Sequence, residues 1–363
     1  MLVSAGGTGG GVYPALAVLA ALDEKADVLW VGGEGGMEAS LVRRSDVRFT
    51  TVPAAGVHGV GLRALPGNVW RLLRGVFAAR NVIADFQPDV IFFTGGYVAI
   101  PVALAGSGIP KVVYVPDIEP GLALRVVSRM AAKVLVTSDR ARDFYPRRKD
   151  VVVTGYPTRP ELMEHVSKKA PGLGLHPGRP VLLVFGGSRG ARSINHALWR
   201  ILPELLEATQ IVHITGELDW PDVERIRTEL PSHLAPNYHP YAYLHEEMGA
   251  ALGAADLVVS RAGAATMGEF PLFGLPSILV PYPHAWRYQK VNAEHLVAQG
   301  AAVSLMDENL EDQLLPTILD LIKDRNQLQA MSAAAQRLAK PDAAASIAAE
   351  LLSLAQEKGG RHG

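Results

Sequence analysis

Two glycine-rich stretches set the narrowest limits on what this chain of 363 residues can fold into. The first, Ala5-Gly6-Gly7-Thr8-Gly9-Gly10-Gly11, stands almost at the start; the second, Phe185-Gly186-Gly187-Ser188-Arg189-Gly190-Ala191-Arg192, stands at the middle. Each follows an apolar strand and precedes a helical pattern. Glycine in such a turn can take φ > 0 and leaves backbone N–H groups uncovered, so an anion can rest on the helix N-terminus where the dipole favours negative charge. One loop alone is a weak sign. Two, spaced by the length of one nucleotide-binding domain, predict a pair of Rossmann-like halves facing a shared cleft, suited to a substrate that carries a diphosphate.

A chain this long exceeds what one core usually serves, and 48% hydrophobic residues can fill two. A formal net charge of −1 gives no electrostatic reason to expect nucleic acid, whose binding rests on clustered Lys and Arg. With no cysteine there is no disulfide framework, no thiolate nucleophile and no thiolate metal site. The opening Met-Leu-Val-Ser-Ala-Gly-Gly lacks a basic and then apolar leader, so the cytoplasm is the expected address. No apolar run reaches the roughly 18 to 20 uncharged residues of a spanning helix, which leaves peripheral membrane contact.

Short β-branched runs alternate with helical patterns along the first half, at 27–31, 89–93, 111–115, 133–137 and 150–154, and read as buried parallel strands. The series restarts at 181–185, 210–214, 255–260 and 276–281. The expected fold class is therefore α/β, with two Rossmann-like, doubly wound domains. Punctuation at Gly155-Tyr156-Pro157 places a linker there, dividing the chain into an N-terminal domain over 1–157 and a C-terminal one over 158–340. The Ala-rich segment 341–363 reads as a helix with a frayed tail, free to pack back on the N-terminal domain.

After the strand at 255–260 comes Ser260-Arg261-Ala262-Gly263-Ala264-Ala265-Thr266-Met267-Gly268-Glu269, a further strand-to-helix turn whose small residues allow close backbone approach. Glu269 lies three residues after Thr266, on the same helical side. Its carboxylate can accept both hydroxyls of a ribose, or it can complement a helix N-terminus as acidic residues often do. Pro271, which lacks an N–H, is expected to end or kink the first turn near Glu269. The histidines are isolated, and no spacing suggests a metal site.

Several blocks together resemble the bacterial N-acetylglucosaminyltransferases that convert lipid I to lipid II in peptidoglycan synthesis. They are Gly6 to Gly10 with Pro14, Gly95-Gly96-Tyr97-Val98 with Pro101, Gly155 with Pro157 and Arg159, Gly186 to Ser188 with Gly190 to Arg192, Arg261 with Gly263 and Thr266, Glu269, Gly274 to Pro276, and Gln289 with Asn292. The resemblance spans nearly the whole chain. It implies the type-B glycosyltransferase fold, an inverting hexosyl transfer from UDP-N-acetylglucosamine to a polyprenyl-diphosphate-linked muramoyl-pentapeptide, no cofactor and no metal. It also implies a place in cell-wall biogenesis, and through it in cell shape and division, on the cytoplasmic side of the membrane.

Carried onto this chain, the resemblance puts the donor mainly in the C-terminal domain. Ser188 and Arg159 are expected near the diphosphate, Glu269 on the ribose, Gln289 on the sugar hydroxyls and the backbone of His245 on the uracil. The turn of Ala264, Ala265, Thr266, Met267, Gly268 and Glu269 would wrap the nucleotide, while Thr8, Gly9 and Gly10 close over the donor from the N-terminal side. Gly95, Gly96, Tyr97 and Asp117 fall to the acceptor. Helix N-termini and an arginine would then stabilise the departing UDP.

Two departures bear on catalysis. Where the family has a histidine after its first loop, this chain has Gly11, which cannot take a proton. Where the family reads His-Glu-Gln-Asn, this chain reads Tyr114-Val115-Pro116-Asp117. Asp117 is a candidate replacement base and Glu119 a weaker one, although Pro-Asp followed by Glu119-Pro120-Gly121 is also good turn chemistry. Tyr156 and Tyr288 replace polar residues of the family. Residues 62–86 mix Leu65, Val69, Trp70, Leu73 and Phe77 with Arg63, Arg71, Arg74 and Arg80. That mixture suits an anionic membrane surface, and equally a helix packed on its own sheet with solvated arginines. Beside the transferase stand two alternatives: a UDP-sugar epimerase, and a nucleotide-sugar-binding homologue that has lost catalysis.

Overall fold

The computed structural model describes all residues except 7, 8, 24, 37, 56–64, 167–172, 188, 189, 246, 285–287 and 360–363. The chain divides into two compact units, Met1–Arg159 with Pro341–Gly363, and Pro160–Lys340.

The first unit holds a seven-stranded parallel sheet of β1 (Leu2–Ser4), β2 (Leu29–Gly33), β3 (Arg48–Val52), β4 (Ile91–Phe93), β5 (Lys111–Val115), β6 (Lys133–Val136) and β7 (Val151–Val153). Their order is β3-β2-β1-β4-β5-β6-β7. The sheet grows one way from β1 and then the other way from β4, so the helices that follow β1 and β4 pack on opposite faces, and the switch point lies between these two strands. Leu2 is in register with both Leu29 and Ile91, and the inner strands are apolar on both faces because helices cover both.

On one face, Val12, Ala15 and Val18 of the helix Gly9–Leu22 share a core with Trp30 and with Ile347 and Leu351 of the helix Ala343–Gly359. Lys133 of β6 pairs with Glu350 of that last helix, and the neighbouring carboxylate raises the lysine's pKa. The opposite face carries the helices Leu65–Phe86, Ala99–Ala105 and Leu122–Met130 in one core. Gly75 lets the first of them approach closely, since a Cβ there would lie 2.1 Å from the Pro53 carbonyl oxygen.

The second unit repeats the plan with β8 (Val181–Phe185), β9 (Gln210–Ile214), β10 (Tyr238–Tyr241), β11 (Leu257–Ser260), β12 (Ser277–Leu279) and β13 (Ala302–Ser304). The order is β10-β9-β8-β11-β12-β13, all parallel, with the switch point between β8 and β11. Three strands were not legible as apolar runs: β3, β10 and β13. All three are sheet edges and only partly buried, so Arg48, Thr50, His239 and Ser304 are tolerated in them. Among the described residues, no helix is long and apolar enough to cross a membrane.

Candidate functional site

The described residues of the glycine loops follow β1 and β8, beside the switch point of each sheet, where a doubly wound sheet opens a crevice at the C-terminal ends of its strands. In the second unit, Phe185 ends β8 and packs its ring edge-on against Phe270, with centroids 6.0 Å apart. The loop then turns through Gly187 (φ +89°) and Gly190 (φ +73°) into the helix Arg192–Arg200. Gly190 is held to glycine twice over, because a Cβ there would also stand 2.5 Å from the Thr215 carbonyl oxygen. No acidic residue lies in the first turn of the helix, and Arg192 opens it. A cation at that end is unfavourable to the dipole, so the helix start is left electropositive. Ser188, expected at this loop, lies outside the described residues.

Opposite, after β11, Ala264–Met267 form a 3-10 turn and Glu269–Phe273 a short helix. The break falls at Gly268, next to Glu269, where the sequence placed it. Pro271 sits in the first turn of the new helix, where its missing N–H has no intrahelical acceptor to lose. Glu269 is thereby the first helical residue, largely buried at the crevice side of β11. The Thr266 hydroxyl donates to the Gly263 carbonyl at 2.7 Å, so it braces the turn from within. Gln289 accepts from the Tyr282 backbone N–H at 2.9 Å, which orients its amide after β12. His245 is exposed after β10, its ring 4.6 Å from that of Tyr243. His245, the 264–269 turn and Gln289 therefore all follow strands of one sheet at its C-terminal edge.

In the first unit, the loops after β1 and β4 nearly touch. Gly96 (φ +83°) approaches Gly6 so closely that a Cβ on it would lie 2.8 Å from the Gly6 carbonyl carbon. The Thr94 hydroxyl donates to the Gly11 carbonyl at 2.6 Å, and a Cβ on Gly11 would stand 3.3 Å from the Thr94 carbonyl oxygen. A side chain at position 11 thus needs its neighbours to yield by a few tenths of an ångström. Gly9 and Gly10 open the helix Gly9–Leu22 beside it, and Thr8 lies outside the described residues. Gly95 and the exposed Tyr97 complete the β4 loop.

Asp117 follows β5, half-buried. The Thr137 hydroxyl fixes the preceding peptide by donating to the Pro116 carbonyl at 2.8 Å. Beside it the buried Tyr114 hydroxyl donates to the Gly155 carbonyl at 3.1 Å; burial pushes that phenol up, and the Asp117 charge adds to the shift. Glu119 is differently placed: it is buried and accepts from the Arg125 guanidinium at 3.2 Å. Arg159 belongs to this unit, with its guanidinium 4.7 Å from the centre of the Tyr13 ring on the first helix.

Sequence reading passed over a buried polar chain behind the second glycine loop. His213 is fully buried, with one ring nitrogen 2.9 Å from the Tyr238 hydroxyl and the other 3.0 Å from Asn195 Oδ1. Burial lowers its pKa to about 3, so it stays neutral. Asn195 in turn donates to the Thr215 carbonyl and to Asp219, both at 2.8 Å. His196, Asp219 and Asp222 bring possible metal ligands within 4.8 Å of one another, but Arg192 stands 3.5 Å from Asp219 as its cation. The signal available in sequence was only a lone histidine inside a strand.

Two doubly wound units, each with a glycine-rich first crossover and a switch-point crevice, define a nucleotide-binding α/β protein of the paired Rossmann-like type. The sequence matches the glycosyltransferase family 28 N-terminal domain over 1–136 and the glycosyltransferase family 28 C-terminal domain over 181–347, and the chain belongs to that family. A relative from Roseiflexus sp. (strain RS-1), named UDP-N-acetylglucosamine--N-acetylmuramyl-(pentapeptide) pyrophosphoryl-undecaprenol N-acetylglucosamine transferase, is 39% identical over 94% of this chain and 92% of its own length. The crystal structure of Acinetobacter baumannii MurG superposes with a TM-score of 0.77 at 27% identity, covering 97% of this chain and 99% of that one. A putative UDP-N-acetylglucosamine 2-epimerase from Listeria monocytogenes shares the fold, with a TM-score of 0.67 at 17% identity over 98% and 96% of the two chains.

Proposed function

We propose that this chain is an inverting hexosyltransferase of peptidoglycan synthesis, moving N-acetylglucosamine from UDP-N-acetylglucosamine to the lipid-linked muramoyl-pentapeptide. Near-full-length identity of 39% to a relative bearing that activity in its name carries the reading. The epimerase likeness, at 17% identity, speaks for the fold alone.

On this reading the donor lies on the second unit. Its diphosphate meets the electropositive start of the helix Arg192–Arg200, its ribose the Glu269 carboxylate, its sugar Gln289 and its base the backbone at His245. The acceptor meets the crevice of the first unit, at Gly95, Gly96, Tyr97 and Asp117. The acceptor hydroxyl oxygen bonds to the anomeric carbon as the bond to UDP breaks. The electron pair leaves on the diphosphate oxygen and the hydroxyl proton passes to a base. We assign that base to Asp117, a half-buried carboxylate just after β5 at the C-terminal end of the first sheet's strands, because Gly11 offers no proton acceptor. The loop before Asp117 is fixed by Thr137, which favours a carboxylate held in place for proton transfer.

We also assign the membrane-facing surface to the first unit. Trp70 and Phe77 are 65% and 64% exposed, and with Val69 and Leu73 they occupy about 100° of the helix Leu65–Phe86. Arg80 reaches across the Phe77 ring at 5.8 Å. Exposed Leu104, and Leu122, Val126 and Met130 at helical spacing, extend apolar surface onto the next two helices of the same sheet face. Apolar anchors beside arginines suit the interface of an anionic leaflet.

Labelled donor incubated with and without a lipid I analogue tests the transfer. Product that appears only with acceptor supports it; donor altered without acceptor supports the epimerase; bound donor with neither change points to lost catalysis.

A further inference from the structure

Arg261, the first residue after β11, carries a buried charge outside the contacts assigned above. It is 8% exposed, and its guanidinium reaches four parts of the second unit. Nη1 donates to the Val280 carbonyl at 3.2 Å, just after β12, and to the Asp307 carboxylate after β13. Nη2 donates to the Ser193 hydroxyl at 2.7 Å, and that hydroxyl passes its own proton toward Asp307 at 2.9 Å. The Tyr282 ring covers the group at 5.2 Å. One guanidinium thus gathers the segments that follow β8, β11, β12 and β13. An arginine's planar fork can do this where a lysine cannot, since it offers several donors in fixed directions.

Ser193 is the second residue of the helix that follows the glycine loop, and Arg261 leads directly into the 264–269 turn. These are the two walls of the switch-point crevice. We propose that Arg261 is a positioning residue that sets the spacing between these walls, and so couples a diphosphate subsite at the start of the helix Arg192–Arg200 to a ribose subsite at Glu269. The proposal rests on the donor assignment above. A ligand that spans both walls gains from a preset spacing, because neither wall has to be ordered when it binds. A ligand that meets one wall gains nothing from it.

That difference is the test. Calorimetric titration of UDP and of uridine into the parent, Ser193→Ala and Arg261→Lys separates the two roles. Ser193→Ala keeps the buried Arg261–Asp307 pair and so guards against a variant that fails to fold. The expected result is UDP affinity about tenfold weaker in both variants, the effect of one hydrogen bond to a charged group, with uridine affinity unchanged. Equal weakening of UDP and uridine would mean that Arg261 serves only to fold the unit, and unchanged UDP affinity would mean that the spacing is set elsewhere; either overturns the proposal. A parent that binds no UDP overturns the donor assignment itself, an outcome distinct from both.

Discussion

Gly190→Ala and Gly187→Ala make a matched pair, because both glycines lie in one loop and both have positive φ, at +73° and +89°. An L-residue in that region costs about 1 to 2 kcal/mol at either position. A Cβ at Gly187 meets no atom of the described residues within 4 Å, so its cost ends there. A Cβ at Gly190 stands 2.5 Å from the Thr215 carbonyl oxygen, about 0.9 Å inside ordinary contact. That oxygen cannot yield freely: it accepts from Asn195 at 2.8 Å, and the Thr215 N–H is itself bonded to Tyr241 at 2.9 Å. Displacing it from a buried hydrogen bond adds about 1 to 3 kcal/mol. For a unit of this size each kcal/mol moves the midpoint by about 2 to 4 °C, so Gly190→Ala is expected to melt about 2 to 12 °C below Gly187→Ala. Scanning calorimetry of the two variants, following the transition that UDP raises, measures the gap. Equal midpoints would refute the reasoning, since strain without overlap would then account for both.

Glu269→Ala is expected to weaken UDP-N-acetylglucosamine binding by about 10- to 100-fold, the range for losing hydrogen bonds to a charged acceptor; calorimetric titration giving the parent affinity would remove the ribose assignment. Asp117→Asn should lower kcat by about 10²- to 10⁴-fold with little change in donor KM, as loss of a general base does, and steady-state kinetics over both substrates would show it. His213 has its folded pKa pushed down to about 3 by burial, so its contribution is fully present above the unfolded value near 6.5 and is lost as pH falls toward 3. Stability is expected to drop by roughly 1 kcal/mol per pH unit across that window, and denaturant titrations of His213→Gln at pH 7 and pH 5 should show that part of the slope gone. Replacing Trp70 and Phe77 by serine should abolish sedimentation with anionic phospholipid vesicles while leaving UDP affinity at the parent value; retained sedimentation would move the membrane surface elsewhere.

The inner strands were legible because they are buried on both faces and read as continuous apolar runs, as at 111–115 and 181–185. The edges β3, β10 and β13 escaped because polar residues interrupt the run in them, whereas the edge β7 keeps Val151–Val153 and was legible. The glycine loops were equally plain, since a strand-to-helix turn that exposes its N–H groups has few alternatives to glycine. The candidate site was legible only where its chemistry is local. Glu269, Gln289 and Asp117 could be named from short blocks. Their expected uses came from the family resemblance.

What the sequence determined by itself was the doubly wound α/β plan in two parts, which follows from local periodicity and glycine spacing, and the family, which its ordered motif blocks resemble. Only tertiary structure decided that Glu119 pairs with Arg125, that Thr266 spends its hydroxyl on its own turn, and that Arg261 reaches Ser193 and Asp307. The reason is physical. A buried polar group must find its partners wherever the packed strands bring them, and Arg261 finds one 68 residues behind it and another 46 ahead.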